Sequence, residues 1–287
     1  PGLVFLVLMR YVPMYGLVMA FKKFTMTKGI FGSPFVGLAN FEVFWGSSFF
    51  WSSFRNTLII NSFRLLVSFP ASIILALLLN ELYNQRFKKI VQTISFLPYF
   101  LSWVIVSMFT YSFLASDFGY VNVILRQLGY EGRDWYLMPH IWRGILVATN
   151  VWKNIGWGCI FYLAAIANIN PELYEAAFID GAGRWKRVLH ITIPSLSSMF
   201  LIVLIINISF ILVGDFEQVW AMTSQYSILK ANTSVLSTAI YEIGLEKGFF
   251  GQAAAMGFFN SALMATILVG ANYLAKVLTG NRQAGLF

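Results

Sequence analysis

The sequence predicts an all-α integral membrane protein with six transmembrane helices. Hydrophobic residues make up 58% of the 287 residues and charged residues only 11%, whereas an average soluble domain has about 25% charged residues. No Asp, Glu, Lys or Arg occurs in residues 90–116, 188–214 or 248–275, and a helix needs about 20 apolar residues to cross a bilayer. Because these runs are long and do not alternate in polarity, helices are favoured over β-barrel strands.

Three further spans are predicted in apolar stretches that basic residues interrupt. They are residues 3–21 with Arg10, residues 59–79 with Arg64, and residues 141–167 with Arg143 and Lys153. No separate soluble domain is visible, so we expect residues 1–287 to form a single transmembrane domain. Cys159 is the only cysteine, which excludes an intramolecular disulfide.

The loops between these spans fall into two sets with different densities of basic residues. Basic side chains are dense in residues 80–89, in residues 168–194, here called the charged loop, and in the tail after residue 276. The other set is 22–55, 117–140 and 221–247, where basic residues are spread over greater length, and where Asn40 is predicted to cap a short helix through Trp51. The positive-inside rule places the first set and both termini in the cytoplasm. The net charge of +8 then reflects contacts with membrane lipid, and no nucleic acid partner is expected.

The charged loop is predicted to form two helices separated by a glycine turn. Asn170 suits a helix N-cap and Pro171 the first helical position. This helix should run to about Asp180 and stop at Gly181, since glycine adopts positive φ without steric cost. A second short helix should follow through about His190. The loop could lie against lipid as an amphipathic segment or form a docking surface for another protein.

The order of residues in the charged loop resembles a known motif. Glu175-Ala176-Ala177, Asp180-Gly181-Ala182, Ile191 and Pro194 resemble the EAA motif of bacterial ABC-importer permeases, with Val188 where that family usually has Phe. The segments YVPMYG at 11–16, GSP at 32–34, VGLANF at 36–41 and RNT at 55–57 resemble the subgroup that imports oligo- and polysaccharides together with a second, related permease. The likeness extends to the permeases of an alginate importer.

This resemblance implies a fold, partners and roles for the motif residues. The fold would be a type I ABC importer core in the bacterial inner membrane, with the charged loop between the fourth and fifth spans. The first helix of the loop would be the coupling helix, which docks on a cytoplasmic ATPase, with Glu175 as the charged anchor, Ala176 and Ala177 as the close-packed face and Gly181 as the turn. Two ATPase subunits would bind ATP and Mg, and an extracytoplasmic binding protein would deliver the oligosaccharide. The chain itself contains no G-x-x-x-x-G-K-[ST] loop with which to cradle phosphates, so we expect no enzyme activity and no cofactor in it.

Polar residues inside spans predict the path of the substrate, because such residues are costly in a membrane and face a cavity or the bundle interior. Asn61, Arg64, Glu217 and Asn260 are among them, and Arg64 could pair with a carbonyl or with Asp215. Combining these polar positions with nearby aromatic rings and with the family's sugar site gives the following candidates: Tyr99, Trp103, Lys153, Asn154, Trp157, Asn207, Phe210, Gly214 and Asp215. Asn154 and Trp157, and likewise Asn207 and Phe210, are three residues apart and should share a helix face. Lys153 at mid-span needs either the anion of an acidic sugar or a structural ion pair.

Two other classes of protein account for some of these residues. Asp215 and Glu217 could form a proton relay in an ion-coupled secondary sugar carrier, but such carriers often contain inverted repeats and broken helices, which the sequence does not show. A membrane-embedded enzyme needs a nucleophile or metal cluster, yet the only histidines are His140 and His190, in two different loops. We therefore expect neither catalytic residues nor a metal site.

Overall fold

A computed structural model describes residues 1–209 and 211–279. In this part of the chain the only strand-like pairing is one bridge between Lys22 and Phe35. The helices, with single-turn segments left unlabelled, are α1 Gly2–Phe21, α2 Ala39–Trp45, α3 Ser48–Asn80, α4 Gln85–Phe100, α5 Trp103–Leu114, α6 Tyr120–Gln127, α7 Pro139–Ala167, α8 Pro171–Ile179, α9 Arg184–Ser195, α10 Ser197–Ser209, α11 Phe216–Thr223, α12 Leu236–Tyr241 and α13 Phe250–Thr279.

Three of these helices, α1, α3 and α13, are long and apolar enough to cross a membrane. Two bent pairs, α4 with α5 at 102° and α9 with α10 at 59°, have the length and apolarity of either a broken span or a re-entrant loop. The remaining predicted span corresponds to α7. Its 29 residues extend about 43 Å at 1.5 Å per residue, and it carries the charged residues Arg143 and Lys153. The predicted number of six spans is thus compatible with the described helices and stays a prediction.

The prediction that residues 90–116 form one continuous helix is wrong. α4 ends at Phe100, and α5 restarts at Trp103 with the Ser102 side chain accepting a hydrogen bond from the Ile105 amide at 3.3 Å. The carbonyls that end α4 would lack partners inside a membrane. Lys153 of α7 supplies one, because its Nζ donates to the Tyr99 carbonyl at 2.6 Å. The break is therefore stabilised by a distant residue that local sequence patterns do not reveal.

α3 packs along α7 more extensively than any other pair among the described helices. Glycine on α7 makes this close approach possible. A Cβ on Gly158 would lie 2.5 Å from the Ser72 Oγ of α3, and a Cβ on Gly156 would lie 2.1 Å from the Ser95 carbonyl of α4. Small residues at helix interfaces let backbones approach in this way within membranes, so α7 is held firmly between α3 and α4.

The predicted N-cap at Asn40 is wrong. Asn40 is the second residue of α2, and its amide donates to the carbonyls of Ala20 and Lys22 at 2.8 and 2.9 Å. Instead, α2 ends at Trp45 and Ser47 caps the following helix α3. Asn40 therefore links α2 to the end of α1, a long-range contact that the capping pattern did not indicate.

Glu242, just after α12 and within the predicted external loop 221–247, forms two ion pairs. Its carboxylate oxygens lie 3.0 Å from Lys230 Nζ and 3.0 Å from Lys247 Nζ. Burial by itself raises the pKa of the Glu242 carboxyl, but the hydrogen bonds from the two lysines outweigh this effect and the pKa lies below its ordinary value. The carboxylate thus joins the segment that contains Lys230 to the chain that leads into α13.

Candidate functional site

The charged loop begins as the sequence predicts. The Asn170 Oδ1 accepts a hydrogen bond from the Glu172 amide at 3.1 Å, and Pro171 is the first residue of α8. This arrangement satisfies one of the free amides at the start of the helix. The position of α8 is further fixed by a 2.9 Å hydrogen bond between the hydroxyls of Tyr174 and Thr192, which ties α8 to α9.

The end of α8 is a glycine turn with two backbone hydrogen bonds. Gly181 has φ +76°. Its amide donates to the Phe178 carbonyl at 3.0 Å, and the Ala182 amide donates to the Ala177 carbonyl at 2.8 Å, which together form a Schellman motif. Asp180 is the C-cap residue. The second helix is longer than predicted, because α9 continues past His190 to Ser195.

The outer face of α8 carries a carboxylate and apolar side chains that are left open to contact. Glu175 is exposed, and its side-chain carboxylate has no hydrogen bond or ion pair within the described residues. Ala176 is exposed and Ala177 half-buried, so a neighbouring surface can approach the backbone closely. Phe178 and Ile179 are 70% and 83% exposed. Exposed apolar side chains of this kind mark a surface that contacts another protein or the membrane.

A larger site is a partly open cavity of about 700 Å³ that is bordered by α3, α7 and α10 and is here called the central cavity. Three of the predicted pathway residues, Asn154, Trp157 and Asn207, line it together. The prediction that Asn154 and Trp157 share one helix face is confirmed. The polar side chains in its wall are Asn61, Arg64, Ser68, Ser72, Asn150, Asn154, Tyr162 and Asn207.

Aromatic rings stack at one side of the central cavity. The Trp157 ring lies 4.5 Å from the Tyr99 ring at an interplanar angle of 5°, and 5.7 Å from the Phe96 ring at 16°. Tyr99 thus supports Trp157 from behind and is not itself part of the cavity lining. Flat aromatic surfaces beside amide groups suit the binding of a sugar, which presents both C–H faces and hydroxyls.

Lys153 and Trp103 lie outside the central cavity. Both are buried, and Lys153 Nζ donates to the Tyr99 carbonyl at 2.6 Å and lies 3.4 Å from the Pro98 carbonyl. The same Nζ is 5.4 Å from the centre of the Trp103 ring, a distance that permits a cation–π contact. Lys153 has no acidic partner in the described residues, so the predicted ion pair within this chain is absent there.

Arg64 lies at the boundary between the central cavity and a smaller one of about 410 Å³. Its Nη1 donates to Asn61 Oδ1 at 3.0 Å, and its Nη2 donates to the side-chain oxygen of Gln218. Of the two partners considered for Arg64, a carbonyl or Asp215, the second forms no ion pair with it, and two of the guanidinium nitrogens donate to side-chain amide oxygens instead. Gln218 in turn donates to the Leu146 carbonyl at 2.7 Å, which links α11 to α7.

Gly214 and Asp215 border the smaller cavity, together with Glu217. Gly214 has φ +60°, a conformation that favours glycine. The Asp215 Oδ1 accepts from the Gln218 amide at 3.3 Å and so caps α11. The remaining predicted pathway residue, Phe210, lies outside the described residues.

Ser68, Ser72, Asn150 and Tyr162 line the central cavity but were not predicted, whereas Asn61 and Arg64 were among the polar span residues expected to face a cavity. For Ser68 and Ser72, α3 carries a usable pattern. Asn61, Arg64, Ser68 and Ser72 recur at intervals of three or four residues, which places them on one helix face. A polar stripe of this kind within an apolar span indicates a cavity. Tyr162 had no comparable signal, because an aromatic residue near a span end is also typical of the membrane interface.

A helical membrane domain that has a cavity with amide, hydroxyl and guanidinium groups in a largely apolar wall, and that presents an exposed helical loop, belongs to the class of membrane transport subunits. Residues 68–279 match the family described as binding-protein-dependent transport system inner membrane component, and the chain belongs to this family. The resemblance drawn from the EAA motif is thereby confirmed.

Relatives and solved structures agree with this assignment. Protein LplB of Bacillus subtilis (strain 168) is 38% identical over 100% of this chain and 89% of its own length. The polygalacturonan/rhamnogalacturonan transport system permease protein YteP of the same organism is 37% identical over 96% of this chain and 85% of its own. The crystal structure of a bacterial alginate ABC transporter in complex with an alginate pentasaccharide-bound periplasmic protein contains a similar chain. It has a TM-score of 0.89 and 34% identity, and the match covers 98% of this chain and 93% of that one. The predicted all-α permease fold is confirmed.

Proposed function

We propose that this chain is one permease subunit of an ATP-driven ABC importer that moves an oligosaccharide or polysaccharide across the bacterial inner membrane. The observation that carries the proposal is the open face of α8, where Glu175 has no partner beside the exposed Phe178 and Ile179. A second support is the central cavity, whose amide and aromatic side chains suit a sugar. The names of the relatives, which include a transport system permease for polygalacturonan and rhamnogalacturonan, point to the same substrate class.

The proposed assembly contains this chain as a single permease domain, a second related permease and two ATPase subunits. An extracytoplasmic binding protein delivers the sugar, as a periplasmic protein accompanies the similar alginate transporter. ATP and Mg bind to the ATPase subunits, and hydrolysis occurs there. Both termini of the permease and the charged loop lie in the cytoplasm, where the density of basic residues favours them.

In this proposal α8 is the coupling helix. Ala176 and Ala177 let the ATPase surface approach the backbone, and Glu175 pairs with a basic group in the ATPase cleft. Movement of the ATPase pair displaces α8, and the turn at Gly181 passes this displacement to α9. The hydrogen bond between Tyr174 and Thr192 supports the proposal, because it makes α8 and α9 move as one unit. α9 continues into α10, which borders the cavity.

In the path of the substrate, Asn154 and Asn207 would donate and accept hydrogen bonds with sugar hydroxyls, and Trp157 would offer its ring face. Tyr99 and Lys153 act behind this surface by holding the Trp157 ring and the end of α4. An ion-coupled secondary carrier is not favoured, since the chain belongs to a binding-protein-dependent family and since Asp215 is engaged as a helix cap.

The test of the proposal is a charge reversal at the docking face. Glu175→Lys should lower the binding-protein-stimulated ATPase activity of the reconstituted complex at least about tenfold, because an unpaired interfacial charge costs 2–5 kcal/mol and each 1.4 kcal/mol is a factor of ten. Glu81→Lys is the matched control: Glu81 is also exposed and follows α3 on the same predicted side, and its reversal should leave the activity unchanged. Normal stimulation in Glu175→Lys, with the variant present in the membrane, would refute the docking role.

A further inference from the structure

We propose that Arg64 is the anion-recognising residue of the central cavity and that the imported sugar therefore carries carboxylate groups. This inference rests on the proposed importer function and adds the substrate class and the residue that selects it. Arg64 lies halfway along α3, in the wall of the central cavity. Arg64 also borders the smaller cavity.

The charge balance of the cavity favours an anion. Among the described residues that line it, Arg64 is the only Lys or Arg, and no Asp or Glu is present. The guanidinium stays protonated although Arg64 is only 9% exposed. Its hydrogen-bond partners, Asn61 and Gln218, are neutral amides. Arg64 forms no direct ion pair within the described residues, although Asp215 borders the smaller cavity beside it, so a carboxylate on the substrate would give this buried cation a direct partner.

Donor capacity remains for such a substrate. The Nε of Arg64, the hydroxyl of Ser68 and the hydroxyl of Tyr162 are buried without a hydrogen-bond partner, and all three residues line the central cavity. Ser68 is one turn beyond Arg64 on the same face of α3. A guanidinium binds a carboxylate through two parallel N–H bonds, and the two hydroxyls can serve the hydroxyl groups of the same sugar ring.

The other charged residues nearby do not compete for this role. Lys153, the cation that the sequence indicated, has its Nζ directed to the carbonyls of Pro98 and Tyr99. Asp215 and Glu217 border only the smaller cavity on the other side of Arg64. Neither acid forms an ion pair with Arg64, and the Nε of Arg64 is left without a hydrogen-bond partner.

The experiment measures ATP-dependent uptake of two probes into proteoliposomes that contain the whole complex. One probe is an oligogalacturonate, and the other is its methyl ester, which keeps the skeleton and removes the negative charges. The same binding protein delivers the probes to every variant, so its own preference cancels in the comparison. Arg64→Gln should lower uptake of the acid at least about tenfold while uptake of the ester changes by less than about threefold. Arg64→Lys should lower uptake of the acid only, and by less, because it keeps the charge but not the fork geometry.

Arg143→Gln is the matched control. Arg143 is a cation of α7 that also donates to neutral groups, with Nη2 2.7 Å from Asn56 Oδ1 and Nε 3.1 Å from the Asn232 carbonyl, and it does not line the central cavity. Its removal should leave the ratio of acid to ester uptake as in the wild type. Equal losses of both probes in Arg64→Gln would overturn the inference. If Arg64→Gln is absent from the membrane, equal losses in Arg64→Lys would overturn it. If the wild type takes up neither probe in the presence of ATP, and also takes up no neutral oligosaccharide, that result would instead contradict the proposed function.

Discussion

Replacement of Gly181 tests whether the turn after α8 controls coupling. The residue has φ +76°, and a Cβ added there meets no atom within 4 Å. Gly181→Ala therefore adds no clash, and its cost comes only from holding an L-residue in the left-handed region, about 1–2 kcal/mol. A penalty of that size lowers the population of the formed turn by about 5–30-fold relative to alternatives. The two hydrogen bonds of the Schellman motif, from Gly181 and Ala182, would be lost in the displaced population.

The assay is binding-protein-stimulated ATPase activity of the reconstituted complex, with basal ATPase activity as the internal reference. Gly181→Ala should reduce the stimulation several-fold and leave the basal rate unchanged, since the turn lies in the permease. Gly181→Asn should cost less, because Asn tolerates positive φ. Gly183→Ala is the control, because Gly183 has φ −65° and no atom within 4 Å of an added Cβ. Equal stimulation in Gly181→Ala and Gly183→Ala would refute the reasoning.

Three further predictions concern stability. Lys153→Met should destabilise the protein by about 1–3 kcal/mol, because the Tyr99 carbonyl at the end of α4 loses its side-chain donor. Thermal unfolding in detergent checks this, and an unchanged Tm would contradict it. Gly158→Ala should lower the Tm because the new Cβ would lie 2.5 Å from the Ser72 Oγ. Adding Ser72→Gly to the same chain should restore part of the lost Tm. A double variant with no recovery would argue against that contact. The pKa of the Glu242 carboxyl is lowered in the folded state. The ionised carboxylate therefore stabilises the folded protein fully at a pH above the unfolded-state pKa of about 4.5, and this stabilisation is lost as the pH falls through the folded-state pKa. Glu242→Gln should flatten that acid-side loss of stability, and an identical pH profile would exclude the two lysine pairs as its source.

The elements that the sequence predicts well depend on local chemistry. The start of α8 follows from Asn170 and Pro171, and its end follows from Gly181, because caps and turns are fixed by a few neighbouring residues. The long charge-free runs similarly predict α13 and the α10 region. Membrane insertion depends on the summed apolarity of about 20 residues, a quantity that the sequence contains directly.

The elements that the sequence predicts poorly depend on partners far along the chain. Residues 90–116 look like one span, yet they break at Ser102 because Lys153 can serve the Tyr99 carbonyl. Asn40 looks like a cap, yet its amide reaches back to α1. In both cases a side chain satisfies a backbone group more than fifteen residues away, as the pairs 153–99 and 40–20 show.

The candidate pathway was predicted in part for the same reason. Asn154 and Trp157 lie on one face of one helix, so their spacing was enough to pair them. Whether Lys153 or Arg64 takes the anion-binding role depends on which of the two has its N–H donors occupied. The contacts of Lys153 with Tyr99 and of Arg64 with Gln218 decide this, and the sequence does not show them. The polar stripe on α3 and the residues Asn154, Trp157 and Asn207 were visible in the sequence, but the packing that brings α3, α7 and α10 around one cavity was not.

The energy source of transport tests the central claim most directly. The measurement is sugar uptake by proteoliposomes that hold this permease with its co-purified subunits and binding protein, with ATP either enclosed or absent and with the proton gradient collapsed by a protonophore. The account predicts uptake that requires enclosed ATP and continues after the gradient is collapsed. Uptake that proceeds without ATP and stops with the protonophore would contradict it and would identify an ion-coupled carrier.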